Sequence, residues 1–259
     1  MQRKSRRVAR LTLFGLILAV GVLLIGPGVA LGQGGQSDEQ HFRCYIISSQ
    51  TPQAAQSITL DDQFTSEPES TLVGEPVMFC PPTAKTRGEQ TFPIEDEQEH
   101  YTLYNAPGTA SPRTVLVTDQ FGADVPWQIT TPKYVMVPTA KTIGGQTFDD
   151  RDNMNHYRCY EARGPRVGAR VTLDDQFSGP DVVRVTTPTL FCAPAEKVHN
   201  GQTFPIEDED LHLACYEIHG KQKTQQHTLT AENQFETDEW QTGPWEILCA
   251  PAEKALPAP

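Results

Sequence analysis

The sequence carries four diverged copies of one segment of about 56 residues, a length at which a single core is marginal. Each copy opens on a His-x-x-Cys-Tyr-like run: His41 to Tyr45, His100 to Tyr104, His156 to Tyr160 and His212 to Tyr216. The histidines are spaced by 59, 56 and 56 residues. A β-rich run follows and closes on a Gln-Phe pair at Phe64, Phe121, Phe177 and Phe235. A third segment ends in lysine at Lys85, Lys141, Lys197 and Lys254. Three copies then finish with a GEQTFPIEDE-like connector (88–97, 144–153 and 201–210), and the fourth meets a Pro-rich tail.

Alternating apolar and polar residues with β-branched side chains, as in Ser57-Ile58-Thr59-Leu60 and Val171-Thr172-Leu173, predict strands. No segment after residue 32 keeps a helical period, so the fold class is all-β with about three strands per copy. One such sheet supplies half a core, and the copies must therefore pack on one another. The simplest arrangement pairs copy 1 with copy 2 and copy 3 with copy 4, as β-sandwich or barrel-like domains at 33–155 and 156–259. A continuous stack or a closed barrel would leave the same trace.

Six cysteines allow fifteen pairings in general. Here the repetition chooses among them. Copies 1, 3 and 4 each hold one cysteine in the first segment and one in the last: Cys44 with Cys80, Cys159 with Cys192, Cys215 with Cys249. Copy 2 lacks both and has Leu103 and Met136 there, a joint loss that a disulfide within each copy predicts. The two apolar substitutes place the bridge against a core. Closing loops of 34 to 37 residues stabilises a unit by up to about 4 kcal/mol in the chain-entropy model. An oxidising compartment follows.

The amino terminus agrees with that compartment. Residues 1–10 hold five basic side chains and no acid, an apolar run follows over residues 11–26, and the small residues Ala30 and Gly32 precede a cleavage point near Gln33. That pattern predicts an export signal over residues 1–32. As a retained anchor the run would reach about 24 Å, short of a hydrocarbon core of about 30 Å. Beyond residue 32 there remain 16 Lys/Arg against 33 Asp/Glu, a formal charge of −17. Such a surface repels nucleic acid and anionic membranes. No later segment is apolar enough to span a membrane, and the expected location is secreted, periplasmic or in the cell envelope.

Other candidate groups have structural readings. The four opening histidines recur in every copy, which fits one structural hydrogen bond per unit better than zinc, because copy 2 keeps its histidine without either thiol. The Asp62-Gln63-Phe64 set and its equivalents read as a turn, with a carboxylate capping backbone N–H groups, an amide satisfying a neighbouring strand and a ring in the core. Asn233 keeps the capping role in copy 4. The acidic connectors, Glu95 to Glu97 and Glu207 to Asp210, read as solvated loops, with clustered calcium ligands as the alternative. The four lysines are expected at strand ends, where charge discourages edge pairing. Trp127, Trp240 and Trp245 are expected in the core and would stack on sugar rings if exposed.

The combination His-x-x-Cys-Tyr, Thr-Leu-x-Asp-Gln-Phe and Leu-Phe-Cys-Ala-Pro-Ala-Glu-Lys resembles an uncharacterised bacterial family of secreted, cysteine-containing tandem domains of unknown function. The resemblance implies an extracytoplasmic module and supplies no catalytic residues. No nucleophile elbow, metalloprotease helix or phosphate loop is present in the sequence. The sequence therefore predicts no enzyme and no catalytic, cofactor-binding or metal-binding residue. The expected function is binding or scaffolding at a cell surface or envelope, toward a surface protein or glycan. A carbohydrate- or calcium-binding module and an envelope hydrolase are the alternatives.

Overall fold

A computed structural model of the protein describes residues 40–257 except Gln50, Gln53, Lys223 and Thr224; the export signal expected at residues 1–32 lies outside the described residues. Copy 1 supplies β1 (Phe42–Ser49), β2 (Gln56–Asp62), β3 (Glu69–Val73), β4 (Pro76–Cys80), β5 (Ala84–Arg87) and β6 (Gln90–Phe92). Copy 2 supplies β7 (Tyr101–Asn105), β8 (Arg113–Asp119), β9 (Gly122–Pro138), β10 (Ala140–Ile143) and β11 (Gln146–Phe148). Copy 3 supplies β12 (Tyr157–Arg163), β13 (Ala169–Asp174), β14 (Asp181–His199) and β15 (Gln202–Phe204). Copy 4 supplies β16 (His212–Gly220), β17 (Thr228–Glu232) and β18 (Thr237–Ala255).

Strands formed by the first and third segments alternate round a closed antiparallel ring: β1, β4, β7, β9, β12, β14, β16, β18 and back to β1. The result is an eight-stranded barrel with additional strands outside the ring. Strands β1 and β7 are separated by β4, so they lie about 9–10 Å apart in the sheet. The rings of Phe42 and Tyr101 nevertheless approach to 5.0 Å, and those of Tyr101 and Tyr157 to 5.6 Å. Side chains that lean together across an intervening strand mark the concave face, and these residues fill the barrel interior.

That interior is layered. Phe42, Tyr101, Tyr157 and Leu213 occupy one end, and Met78, Tyr134, Leu190 and Ile247 the other. Between them lie the disulfides Cys44–Cys80, Cys159–Cys192 and Cys215–Cys249, each joining two strands of one copy. Leu103 faces Met136 across the pair β7 and β9, in the register that Cys159 and Cys192 share across β12 and β14. The six cysteines, Leu103 and Met136 are all 0% exposed. The within-copy pairing is therefore observed, and copy 2 fills the same layer with two apolar side chains.

A second set of pairings joins opposite copies. Strand β2 pairs with the end of β14, and β13 with β5, which links copies 1 and 3. Strand β10 pairs with β17 and β8 with the end of β18, which links copies 2 and 4. Pairing 1 with 2 and 3 with 4 in separate domains is thereby replaced by one compact unit. The boundary expected at residues 155 and 156 falls between β9 and β12, which are hydrogen-bonded neighbours. The physical reason is edge satisfaction: two separate small sheets would leave open edges, whereas the closed ring leaves none.

The lysine segments and the first halves of the connectors, expected to be strand ends and loops, form short hairpins. Strands β10 and β11 turn through Gly144–Gly145, and the end of β14 meets β15 through Asn200–Gly201. All four turn residues have φ between 50 and 81°, as the tight hairpin turn requires.

Because Leu103 and Met136 are in direct register, the double substitution Leu103→Cys with Met136→Cys is expected to form a fourth bridge without external oxidant beyond that used for the other three. Thiol titration should find no free sulfhydryl. Stability should change by at most about +4 kcal/mol, reduced by the lost packing of the larger side chains.

Candidate functional site

The Gln-Phe turns carry the predicted cap, and the rings of Phe64, Phe177 and Phe235 enter the core while Phe121 is only partly buried; the amide, expected to satisfy a neighbouring strand, meets a histidine side chain instead. Oδ1 of Asp62, Asp119, Asp175 and Asn233 accepts a hydrogen bond from the backbone N–H two residues on, at 2.7, 2.7, 2.8 and 2.9 Å. Each side chain also meets a tyrosine of the opposite copy. The hydroxyls of Tyr160 and Tyr216 donate to Asp62 and Asp119 at 2.7 and 2.5 Å, and Tyr45 donates to Asp175 at 3.0 Å. In copy 4 the direction reverses: Asn233 donates to the Tyr104 hydroxyl at 2.8 Å, and that hydroxyl donates to Glu236 at 2.8 Å. Burial raises the pKa of Asp62 and Asp119. Arg43, itself buried, pairs with Asp175 at 2.5 Å and with Asp181 at 3.1 Å.

Beside each turn lies a second repeated arrangement that the sequence does not announce. The lysine and histidine of one copy meet the glutamine of the next. Lys85 Nζ lies 2.9 Å from His41 Nε2, which also contacts Gln120 at 2.9 Å. Lys141 lies 3.0 Å from His100, with Gln176 completing the set at 3.0 Å from the same ring nitrogen. His156 meets Gln234 at 2.7 Å beside Lys197, and in copy 4 His212 and Lys254 both contact Gln63. His100 and His212 donate from Nδ1 to the carbonyls of Gln98 and Asp210, which leaves Nε2 as the acceptor facing the lysine and the amide.

Lys85, Lys141 and Lys197 are 0% exposed, a correction to their expected place at solvent-facing strand ends. Each lies under the phenylalanine of its own hairpin: Phe92 at 4.0 Å, Phe148 at 3.9 Å and Phe204 at 4.0 Å. The phenylalanine of the next copy's turn lies further out, at 5.6, 5.9 and 5.0 Å. Two effects oppose each other here. Burial pushes Lys85 and Lys141 down to about 7 and Lys197 to about 6, whereas the ring faces favour the cation. Burial likewise pushes His41 and His100 down to about 3, and these rings stay neutral acceptors at physiological pH. An amine poised near neutrality is a nucleophile when a substrate can reach it, but these three are sealed. Their role is architectural.

Copy 4 differs. Lys254 is only half-buried, and the nearest ring over it is Phe64 at 5.3 Å. Glu253–Ala255 pairs with β8 along one edge; among the described residues no strand lies along the other, where β6, β11 and β15 lie in copies 1 to 3. The space opens as a cavity of about 810 Å³ floored by Gln63, His212 and Lys254. Asp61, Glu196, Glu209, Asp210 and Glu253 also line it. A second cavity, of about 650 Å³, borders the interior end formed by Met78 and Tyr134. Among its lining groups Lys133 lies 3.6 Å from Glu161, and His219 Nε2 lies 3.2 Å from Glu217.

The remaining sequence candidates find structural places. Trp127, Trp240 and Trp245 are at most 2% exposed, which rules out the sugar-stacking role considered for them. The acidic connectors turn their backbone toward the barrel: Gln40 Oε1 accepts from the N–H groups of Glu95 and Asp96, and Asn155 Oδ1 from those of Glu207 and Asp208. Among the described residues no group of three or more His, Cys, Asp or Glu is arranged to hold a metal ion.

The buried groups set a pH dependence. A lysine whose folded pKa lies near 6 to 7, against 10.5 when exposed, binds fewer protons folded than unfolded between those values, so stability rises with pH across that window. The histidines act in the same sense between about 3 and 6.5. Urea midpoints should therefore climb from pH 5 to pH 9. Lys197 has no hydrogen-bond partner for its Nζ, and Lys197→Met is expected to stabilise the protein by about 1–3 kcal/mol at pH 6 and to flatten that slope.

The model of a family described as a repeat of unknown function, DUF7450, matches the chain twice, over residues 22–125 and 106–250. No curated protein and no solved structure matched the sequence. The first match covers copy 1 and part of copy 2, the second most of copy 2 with copies 3 and 4, and together they run from residue 22 to residue 250, so the chain belongs to this repeat family.

Proposed function

We propose that the chain is an exported bacterial module without enzymatic activity, acting at the cell surface or envelope as a binding protein whose contact site is the open fourth box. One observation carries this reading. Of four equivalent lysine boxes, three are closed by the chain's own phenylalanines at 3.9 to 4.0 Å, and in the fourth a half-buried Lys254 and an exposed Gln63, beside the buried His212, line an open cavity. The barrel beneath it is held by three bridges and shares one closed hydrogen-bonded ring, a rigid support of the kind on which binding surfaces are preorganised. Export is supported by the signal-like amino terminus and by the pairing of all six cysteines, because such bonds persist in oxidising compartments.

Non-reducing peptide mapping of protein harvested from its native host tests the compartment. The expected result is three within-copy links and an amino terminus near Gln33. Recovery of free thiols, or of a chain still beginning at Met1 in the cytosolic fraction, would overturn the assignment.

A further inference from the structure

Copies 1 to 3 show what a lysine box of this protein accepts. In each, a Gln-Thr-Phe strand lies antiparallel to the lysine strand with its phenylalanine in register with the lysine: Lys85 opposite Phe92, Lys141 opposite Phe148 and Lys197 opposite Phe204. The preceding threonine bonds across the pair in two of them, Thr86 to Thr91 at 3.1 Å and Thr142 to Thr147 at 2.8 Å. The corresponding edge of Glu253–Ala255 is unpaired among the described residues, and the corresponding space over Lys254 is the acid-lined cavity.

From this juxtaposition we infer that the fourth box recognises an extended polypeptide segment of a partner. The segment adds one antiparallel strand to Glu253–Ala255 and lays an aromatic side chain over Lys254. The proposal rests on the binding-module reading above and specifies its ligand. Main-chain hydrogen bonds along the free edge supply affinity, as in other strand-addition complexes, and the pocket selects the side chain. The ring covers Lys254 in the way that Phe204 covers Lys197. Asp61, Glu196, Glu209, Asp210 and Glu253 line the same cavity, so residues next to the aromatic are basic, and association weakens as salt rises.

A labelled synthetic peptide, GQTFPIKK, which copies residues 201–206 and adds two lysines, tests this by fluorescence anisotropy on the full chain with its disulfides intact. Saturable binding is expected, with a loss of about tenfold or more when the phenylalanine is replaced by alanine. Lys254→Gln should weaken binding to a similar degree while leaving the near-ultraviolet circular dichroism of the fold unchanged; Lys197→Met should leave binding as it was. A chain in which residues 255–259 are replaced by a copy of residues 198–206 should close its own fourth box and lose the peptide. Equal binding of the alanine peptide, indifference to Lys254→Gln, or no saturation at millimolar peptide overturns the inference. Probing the same preparation on a glycan array separates the two levels. Glycan capture without peptide binding removes the strand proposal alone, and silence in both removes the binding-module reading with it.

Discussion

The closing pair of β1 with β18 is the constraint on which everything else depends. A three-stranded unit cannot bury both faces of its sheet, and a row of such units in a line would end in two open edges. Hydrogen bonding the last copy to the first removes both edges at once and creates an interior. That interior then needs filling by a side-chain set of fixed size. The layer of six cysteines with Leu103 and Met136 is that filling, and its four pairs all lie in one register. A slip of one residue in any ring strand would turn a bridge or its apolar substitute outward, so the ring and the sulfur layer fix each other's register.

Outside the ring, polar groups do the specifying. Burying Asp62, Asp119 and Asp175 is tolerable because each carboxylate is met by a backbone N–H and a tyrosine hydroxyl, and the last also by Arg43. These contacts run between opposite copies, and the His-Lys-Gln contacts run between neighbours, so each copy is tied to two different partners. Arginine occupies the third residue of the opening segment in copies 1 and 3, as Arg43 and Arg158, where copies 2 and 4 have Thr102 and Ala214. The ring is therefore closer to a two-fold arrangement of two-copy halves than to a four-fold one.

Much of this was readable from residues alone. Repetition gave the unit, the shared loss at Leu103 and Met136 gave the disulfide pairing, and the Asp-Gln-Phe spacing gave the turn with its cap. What escaped was everything that depends on a second copy. A lysine at the end of an apolar run looks like a solvent anchor, and nothing in MFCPPTAK says that Phe92 and Phe121 will enclose its ammonium. The histidines were legible as structural but not as lysine acceptors, because their partners lie 41 to 44 residues away or in the next copy. Two local signals did exist: Gly144–Gly145 and Asn200–Gly201 are hairpin turns, and a hairpin would have placed Phe148 and Phe204 opposite their lysines. Ring closure, by contrast, has no local signature, and grouping neighbours in twos was the natural misreading.

Because the first and last strands are hydrogen-bonded neighbours, the linear order of copies is one of several ways to cut a circle. The connectors that lead from one copy to the next are equivalent positions on the perimeter. A gene rearranged to begin at copy 3 and end at copy 2 would encode the same ring, provided that a linker joined the present ends. Such a permutation would leave β11 beside Lys141 and the edge beside Lys254 open, unless the joining linker itself supplied a strand there.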